Sequence, residues 1–341
     1  MTPSTSDREL VDVTDMPKVE LHVHLEGAIP LATRWEILQR HGGDPDVGSV
    51  EDLRARFSYV DFDHFIQSWL WQSRYLRTIE DFELAAERVA EAFVAQRIVY
   101  VEGFISPADV APNGLSTADV VLAVRRGLDR VPEVEVALIV DLVRNYGPER
   151  ALRSAAEVAE VAAEGGVIGV GLGGSEAEFP PELFVEAFEL AASRGLHRTV
   201  HAGEVAGPAS IRGALDVLGA ERIGHGVRAV EDRTLLERLV AEQTPLEVCP
   251  ISNLRTGAVP GWASHPAAEL VAAGANVTIS SDDPTMFDCT LDDEYASLQR
   301  HLGVDAATVR RLASNAVQAS WADPGTTARL QADLDAWWAA R

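Results

Sequence analysis

Lysine and cysteine are nearly absent from this chain. Lys18 is the single lysine, and Cys249 and Cys289 are the only cysteines. Two cysteines provide no disulfide framework and favour a reducing compartment. The polar N-terminus "MTPSTSDRELVDVTDMP" lacks the apolar core of a signal peptide. No apolar run approaches the roughly 20 residues of a membrane-spanning helix. We therefore expect a cytoplasmic protein that does not enter a membrane.

Positive charge is also scarce, because 29 basic residues stand against 53 acidic ones and give a formal net charge of −24. Nucleic acid is bound largely through Lys and Arg side chains that displace its counterions, so this composition argues against a nucleic-acid partner. Anionic membrane surfaces are disfavoured for the same reason. Neither class of partner is expected.

Short apolar runs alternate with amphipathic stretches along most of the chain. Eight runs rich in Val and Ile have the length of buried strands: 19–25, 100–106, 134–143, 167–174, 198–203, 222–227, 246–252 and 277–283. Strands that alternate with helices predict an α/β fold, and eight of them predict a (β/α)₈ barrel formed by residues 1–341 as one domain. A doubly wound open sheet is the alternative, but no GxGxxG or GxxxxGK[ST] motif follows any run.

A long insertion, about residues 27–98, separates the first two runs. Its segment 61–76, "DFDHFIQSWLWQSRYL", is unusually aromatic for a connection and contains Phe65 and Trp69. In a barrel this insertion would lie over the mouth, where active sites form. We interpret it as a candidate lid; the alternative is a set of extra helices that complete the outer shell.

Histidine and carboxylate side chains close several of the predicted strands. His22 and His24 end the first run, His201 ends the fifth, His225 ends the sixth and Asp282 ends the eighth. The carboxyl ends of all barrel strands meet at one mouth. Imidazole and carboxylate are ligands of borderline metals such as Zn²⁺. We therefore predict a metal site formed by His22, His24, His201 and Asp282.

The chemistry expected of this site is hydrolytic. Barrel hydrolases with two metals commonly bridge them with a carbamylated lysine on the fourth strand, and Lys18 precedes the first, which favours one metal. Such a metal would hold a water molecule and lower its pKa toward about 7. His225 could orient or deprotonate that water, Glu204 could donate a proton to the electrophile, and Asp283 could bind substrate. The structural alternatives are a capping or solvent-facing Glu204 and an Asx turn at Asp283.

Five motifs in this order resemble the adenosine deaminase family of metal-dependent aminohydrolases: "PKVELHVHLEGAI", "HRTVHAGEVAGP", "ERIGHGV", "LEVCPISN" and "SDDPTMF". The resemblance implies one Zn²⁺ per chain and hydrolytic loss of ammonia from a 6-aminopurine. It implies the same four metal ligands, Glu204 as proton donor to the purine, His225 as the residue that orients water, and Asp283 as a ring-nitrogen partner. It also implies that the backbone N–H of Gly174 contacts the ring.

The departures from the family pattern concern substrate contacts. Adenosine-acting members usually have Asp at the position of Glu26, where it contacts the ribose, and Arg at the position of Phe104. We predict that these two residues, together with Phe65 and Trp69, determine which group beyond the purine ring the substrate carries. We expect adenosine or a 5′-modified relative, with adenine and then aminofutalosine as alternatives. A non-catalytic purine-binding barrel and a metal phosphoesterase are the remaining alternatives; the phosphoesterase would need further His and Asp ligands and cationic phosphate contacts.

Overall fold

A computed structural model describes residues 10–341. Eight parallel strands lie side by side in the order of the sequence, each hydrogen-bonded to the next. Their bounds are β1 Lys18–His24, β2 Ile98–Ile105, β3 Glu135–Asp141, β4 Val167–Gly171, β5 His197–Ala202, β6 Arg222–His225, β7 Leu246–Val248 and β8 Val277–Ile279. The predicted (β/α)₈ barrel is confirmed.

The barrel closes between β8 and β1 at the end where the functional side chains lie. The N–H of His24 donates to the carbonyl of Asp282 at 2.8 Å, and the N–H of Asp282 donates to the carbonyl of His22 at 3.0 Å. The closing hydrogen bonds are therefore made by three of the predicted metal ligands, and barrel closure positions these residues directly.

Helices follow or connect all the strands. Their bounds are α1 Leu25–Ala28, α2 Leu31–Arg40, α3 Val50–Arg56, α4 Phe62–Ser73, α5 Ile79–Ala95, α6 Pro107–Val110, α7 Thr117–Leu128, α8 Gly147–Gly165, α9 Val185–Ser193, α10 Pro208–Asp216, α11 Arg233–Glu242, α12 Pro250–Arg255, α13 Ala267–Ala273, α14 Pro284–Phe287, α15 Leu291–Leu302, α16 Ala306–Ala319 and α17 Pro324–Ala339. Among the described residues, none of these helices combines the length and apolar character needed to cross a membrane.

Local sequence explains where the long helices begin. Capping boxes, in which a hydroxyl and a carboxylate satisfy exposed backbone N–H groups, open α5, α7 and α15. The segment between β1 and β2 forms α1 to α5. Part of it packs with α14 in a second apolar cluster, whose members include Phe65, Trp71 and Phe287. This packing holds α4 beside the loop that follows β8.

Two predicted strands end four residues earlier than expected. The run 246–252 is a strand only over Leu246–Val248, and α12 begins at Pro250. Proline has no N–H for a strand ladder, but its fixed φ suits the first turn of a helix. The run 277–283 is a strand only to Ile279, so Asp282 and Asp283 lie in the loop that precedes α14.

The barrel interior beneath the site contains charged side chains. The Arg222 guanidinium donates to Glu102 Oε2 at 2.5 Å and lies 2.6 Å from Glu247 Oε1. All three side chains are at most 1% exposed. The same guanidinium lies 3.5 Å from the centre of the Trp321 ring. Paired in this way, the charges link β2, β6 and β7 across the barrel.

Candidate active site

Nitrogen and oxygen ligand atoms converge at the carboxyl ends of β1, β5, β6 and β8. One ligand atom from each of His22, His201, His225 and Asp282 lies within 4.8 Å of the others, and all four residues are buried. His24 adjoins this group, because its Nε2 lies 3.2 Å from His201 Nε2 and 3.4 Å from Asp282 Oδ1. The four predicted ligands and the predicted water-orienting histidine thus form a single cluster.

The side chains of Glu247 and Ser252 hold members of the cluster in place. Glu247 Oε2 lies 2.9 Å from His22 Nδ1, which leaves His22 Nε2 to face the cluster. The Ser252 hydroxyl donates to Asp282 Oδ2 at 2.6 Å. Such outer partners fix the tautomer and orientation of metal-binding side chains. Glu247 and Ser252 both belong to the motif "LEVCPISN", but the sequence alone does not indicate this role for them.

The backbone is strained at two of the cluster residues. His225 has a φ of 60° and Asp282 a φ of 64°, which is the left-handed region that non-glycine residues rarely adopt. Such conformations cost on the order of 1–3 kcal/mol and cluster at functional sites. At these positions the turn directs both side chains into the mouth of the barrel.

The donor set fits a single divalent metal ion. His22 Nε2 is buried, has no hydrogen-bond partner among the described residues and lies 3.5 Å from Asp282 Oδ1. The Nε2 atoms of His24 and His201 lie 3.2 Å apart. Imidazole nitrogens with one carboxylate oxygen suit Zn²⁺ and similar ions. Lys18 is far from this mouth: it begins β1 and pairs with Asp292 at 2.9 Å. It supplies no bridging group.

Glu204 lies beside the cluster on the loop after β5. It is 4% exposed, and its Oε2 is 3.7 Å from His225 Nε2. Burial raises the pKa of Glu204 well above its usual value, and the charges of Asp282 and Glu176 raise it further. The carboxyl group therefore holds a proton under conditions where an exposed glutamate would have lost it. A solvent-facing or capping role for Glu204 is not what the geometry shows.

Asp283 is buried on the other side of the cluster. It occupies the N-cap position of α14 but makes no capping hydrogen bond, and its Oδ1 has no partner in the described part of the chain. Burial and the charge of Asp282 raise its pKa well above the usual value. A Cβ at Gly27 would lie 1.8 Å from Asp283 Oδ1, so this glycine makes room for the carboxyl group. The side chain is left available to a ligand.

A cavity of about 720 Å³, measured up to its open mouth, lies above the cluster. It is lined by His24, Phe62, Phe65, Ile66, Trp69, Leu70, Ser106, Asp109, Asp141, Val143, Asn145, Tyr146, Gly174, His201, Glu204, His225, Asp282 and Asp283. The lining includes the aromatic face of α4 and the predicted Gly174, and it contains no Lys or Arg.

Glu26 and Phe104, two of the predicted substrate contacts, lie behind the cavity wall. Glu26 Oε1 accepts a hydrogen bond from the N–H of Ser106 at 2.8 Å. Phe104 is fully buried and stacks on His24 with ring centres 4.9 Å apart. Neither residue is among those that line the cavity. Sequence position alone does not show this, because both residues lie near the carboxyl end of a strand, β1 for Glu26 and β2 for Phe104.

Two carboxylates of the cavity wall were missed by sequence reasoning. Asp141 ends β3, as the predicted site residues end other strands, and burial raises its pKa to about 7. Asp109 follows β2 and accepts hydrogen bonds from Trp69 Nε1 at 2.6 Å and from the Tyr146 hydroxyl at 2.9 Å. The strand-end position of Asp141 was the available signal, whereas nothing local distinguishes Asp109.

Comparison with known proteins identifies close relatives over nearly the whole chain. The family model described as adenosine deaminase matches residues 17–337. An adenine deaminase of Chelativorans sp. is 37% identical over 93% of this chain and 97% of its own length. An aminodeoxyfutalosine deaminase of Streptomyces avermitilis is 36% identical over 96% of this chain and 93% of its own length.

Solved structures show the same architecture. An adenine deaminase from Arthrobacter aurescens superposes with a TM-score of 0.89 and 31% identity, covering 95% of this chain and 99% of the other. An Arabidopsis ADAL protein complexed with GMP gives a TM-score of 0.85 at 25% identity, covering 95% of this chain and 98% of the other. The site described above therefore occurs in a fold whose relatives are named as purine deaminases.

Proposed function

The chain belongs to the adenosine deaminase family, and on this basis we propose that it removes the 6-amino group of an adenine ring by hydrolysis. The observation that carries the proposal is the buried His and Asp cluster with Glu204 beside it, at the base of one cavity that His201, His225, Asp282 and Glu204 line. The proposed partner is a small-molecule purine.

We assign the metal as one Zn²⁺ per chain, held by His22, His24, His201 and Asp282. When bound, it lowers the pKa of a water molecule toward about 7 and so supplies a nucleophile near neutral pH. Metal analysis of the purified protein should give one equivalent per chain, and His24→Ala should lose both metal and activity. Two equivalents at full activity would contradict the assignment.

The chain's own residues move the protons and hold the ring. His225 receives or orients the proton of the attacking water as its oxygen bonds to C6. Glu204 donates its proton to a ring nitrogen, which neutralises the charge that develops there. The amino group takes up the proton that the water gave to His225, the C6–N bond breaks and ammonia leaves, and the proton of the new C6 hydroxyl returns to Glu204, giving the 6-oxopurine. Asp283 and the N–H of Gly174 hold the ring through its remaining nitrogens.

Adenosine itself, the first expectation from the sequence, is supported less well than its alternatives. The relatives reported above are named for adenine and for aminodeoxyfutalosine. We propose aminodeoxyfutalosine as the first candidate, because the cavity extends from the cluster to α4 and Tyr146, beyond the residues proposed to hold the ring. Adenine is the second candidate, supported by the names of several relatives.

A nucleotide substrate is disfavoured by charge. The lining contains Asp109, Asp141 and Asp283 with no Lys or Arg. A phosphate group there would lose its hydration without gaining a cationic partner. This contrasts with the GMP found in the Arabidopsis structure.

A substrate panel tests the proposal. Adenine, adenosine, 5′-methylthioadenosine, aminodeoxyfutalosine and AMP should be compared by the ultraviolet change on loss of the amine and by ammonia release. We expect aminodeoxyfutalosine or adenine to have the highest kcat/KM and AMP the lowest. Failure to release ammonia from any of them would refute the proposed function, and a preference for AMP would refute the charge argument.

A further inference from the structure

One buried carboxylate outside the cavity holds the loop that carries Glu204. The Glu176 side chain is 3% exposed and accepts hydrogen bonds from four successive backbone N–H groups. Its Oε1 accepts from Gly203 at 2.6 Å, and its Oε2 accepts from Glu204 at 3.1 Å and from Val205 and Ala206 at 2.9 Å each. No other side chain in the described part of the chain receives so many backbone donors.

The loop needs such a partner because it has left the strand. Gly203 has a φ of 71°, and a Cβ there would lie 2.4 Å from Ile211 Cδ1. In this irregular backbone the N–H groups cannot pair with a neighbouring strand, and buried donors without partners are strongly disfavoured. Arg228 Nε holds the loop from the opposite side by donating to the Glu204 carbonyl at 3.1 Å.

The position of the loop decides where Glu204 points. His201 is fixed by β5 and by the cluster, whereas Glu204 lies three residues later, beyond the last strand residue Ala202. The direction of its side chain therefore depends on residues 203–206 rather than on the sheet. Catalytic groups displaced by about 1 Å can lose on the order of 10²-fold in rate.

We propose that Glu176 is a positioning residue, whose carboxylate fixes the 203–206 loop and so aims Glu204 at the substrate ring. It touches neither the cavity nor the metal cluster, and it acts through Glu204 alone. The negative charge of Glu176 also helps Glu204 to keep its proton, because it raises the pKa of Glu204 in addition to the effect of burial. The inference rests on the proposed function for its kinetic consequences only.

The test compares Glu176→Gln with Glu178→Gln in the full-length, metal-loaded protein. Glutamine has the same shape but offers only one acceptor oxygen. Its NH₂ group is a donor and cannot accept the hydrogen bonds of the loop N–H groups that it would face. Glu178 is exposed and lies two residues away, so it controls for loss of one charge in the same segment. Metal content, kcat and KM on the best panel substrate, and amide hydrogen exchange are measured for both variants.

We expect Glu176→Gln to keep one metal and a KM within about threefold of the unsubstituted protein, while kcat falls about 10–100-fold. Amides 203–206 should exchange faster in this variant, and Glu178→Gln should match the unsubstituted protein throughout. Unchanged kcat, unchanged exchange at 203–206, or loss of metal together with activity would each overturn the proposal. If the unsubstituted protein deaminates nothing in the panel, the proposed function fails while the exchange comparison still tests Glu176.

Discussion

At the scale of single residues, the site combines an acid that keeps its proton with a base that lacks one. Burial raises the pKa of Glu204 well above its usual value, and burial lowers the pKa of His225 to about 3. Burial thus favours the neutral form of both side chains, although they lie 3.7 Å apart. Pairs of groups whose environments move their pKa values in opposite directions are typical of acid and base assignments.

Glu204→Gln should abolish most of the activity while the metal stays bound. The amide keeps the shape of the side chain but cannot donate an acidic proton to the ring. Proton donation of this kind contributes about 10²–10⁴-fold to the rate. Steady-state kinetics with metal analysis checks this outcome, and activity within a few-fold of the unsubstituted protein would exclude Glu204 as the acid.

Gly27→Ala should reduce activity through Asp283 rather than through the metal. The new Cβ would overlap Asp283 Oδ1, at 1.8 Å, so the carboxyl group must move. We expect kcat/KM to fall at least about tenfold, comparable with loss of a charge-assisted hydrogen bond, with one metal retained. Gly261→Ala is the control, because nothing lies within 4 Å of its added Cβ and its backbone, like that of Gly27, is outside the left-handed region. A full loss of metal in Gly27→Ala would contradict this explanation.

Sequence reasoning succeeded at this scale where a residue's type and strand-end position coincide. His22, His24, His201, His225 and Asp282 all end predicted strands, and the structure brings them together. Glu176 and Glu247 went unrecognised because single carboxylates are common in any chain. Their roles depend on what they face, four backbone N–H groups in one case and His22 in the other.

At the scale of elements, α4 is joined to the barrel by a hydrogen bond at the edge of the cavity. Trp69 Nε1 donates to Asp109 Oδ2, and Tyr146 donates to the other oxygen of the same carboxylate. The aromatic face of the helix, including Phe65, lines the cavity. We propose that α4 serves as the lid expected from the sequence, and that Asp109 holds it in place through the hydrogen bond from Trp69.

Trp69→Phe should loosen this lid while keeping an aromatic ring in place. Asp109 loses one of its two donors, which leaves a buried acceptor less well satisfied. We expect KM to rise several-fold, about 3–10-fold for one lost hydrogen bond, with little change in kcat. Trp71→Phe is the matched control, since it lies on the same helix but donates to Asp44 away from the cavity. Equal effects of the two substitutions would rule out a specific role for the Asp109 bond.

Element boundaries were the weaker part of sequence reasoning. Alternating apolar runs and helices were sufficient to predict eight strands and a barrel, because the pattern repeats. The predicted strand 246–252 is too long, because Pro250 is the first residue of a helix and not part of an apolar strand. Packing of the insertion against α14 involves residues more than 200 positions apart, and no local pattern encodes it.

At the scale of the whole molecule, the barrel has buried acids whose protonation depends on the folded state. Burial raises the pKa of Asp141 to about 7, and the charge of Asp109 adds to this effect. In the unfolded chain the same group titrates near 3.8. Between these values the folded protein retains a proton that the unfolded chain has released. The contribution of Asp141 to stability therefore falls as the pH rises through this window and is constant above it.

Asp141→Asn should remove this pH dependence. Relative to the unsubstituted protein, the free energy of unfolding of the variant should increase by about 2 kcal/mol on going from pH 5 to pH 7. Urea unfolding at both pH values measures the difference, with Asp333→Asn as an exposed control. A difference between variant and unsubstituted protein that does not change with pH would mean that Asp141 ionises normally in the folded state.

The central claim is that this barrel adds water to a 6-aminopurine and releases ammonia. Its most direct test is turnover of adenine and of aminodeoxyfutalosine in ¹⁸O-labelled water, followed by mass spectrometry of the purine product and quantification of ammonia. The account predicts one labelled oxygen on the ring for each ammonia released, and no such product with Glu204→Gln beyond a small residual rate. An unlabelled product, or binding of both purines without any ammonia release, would contradict it.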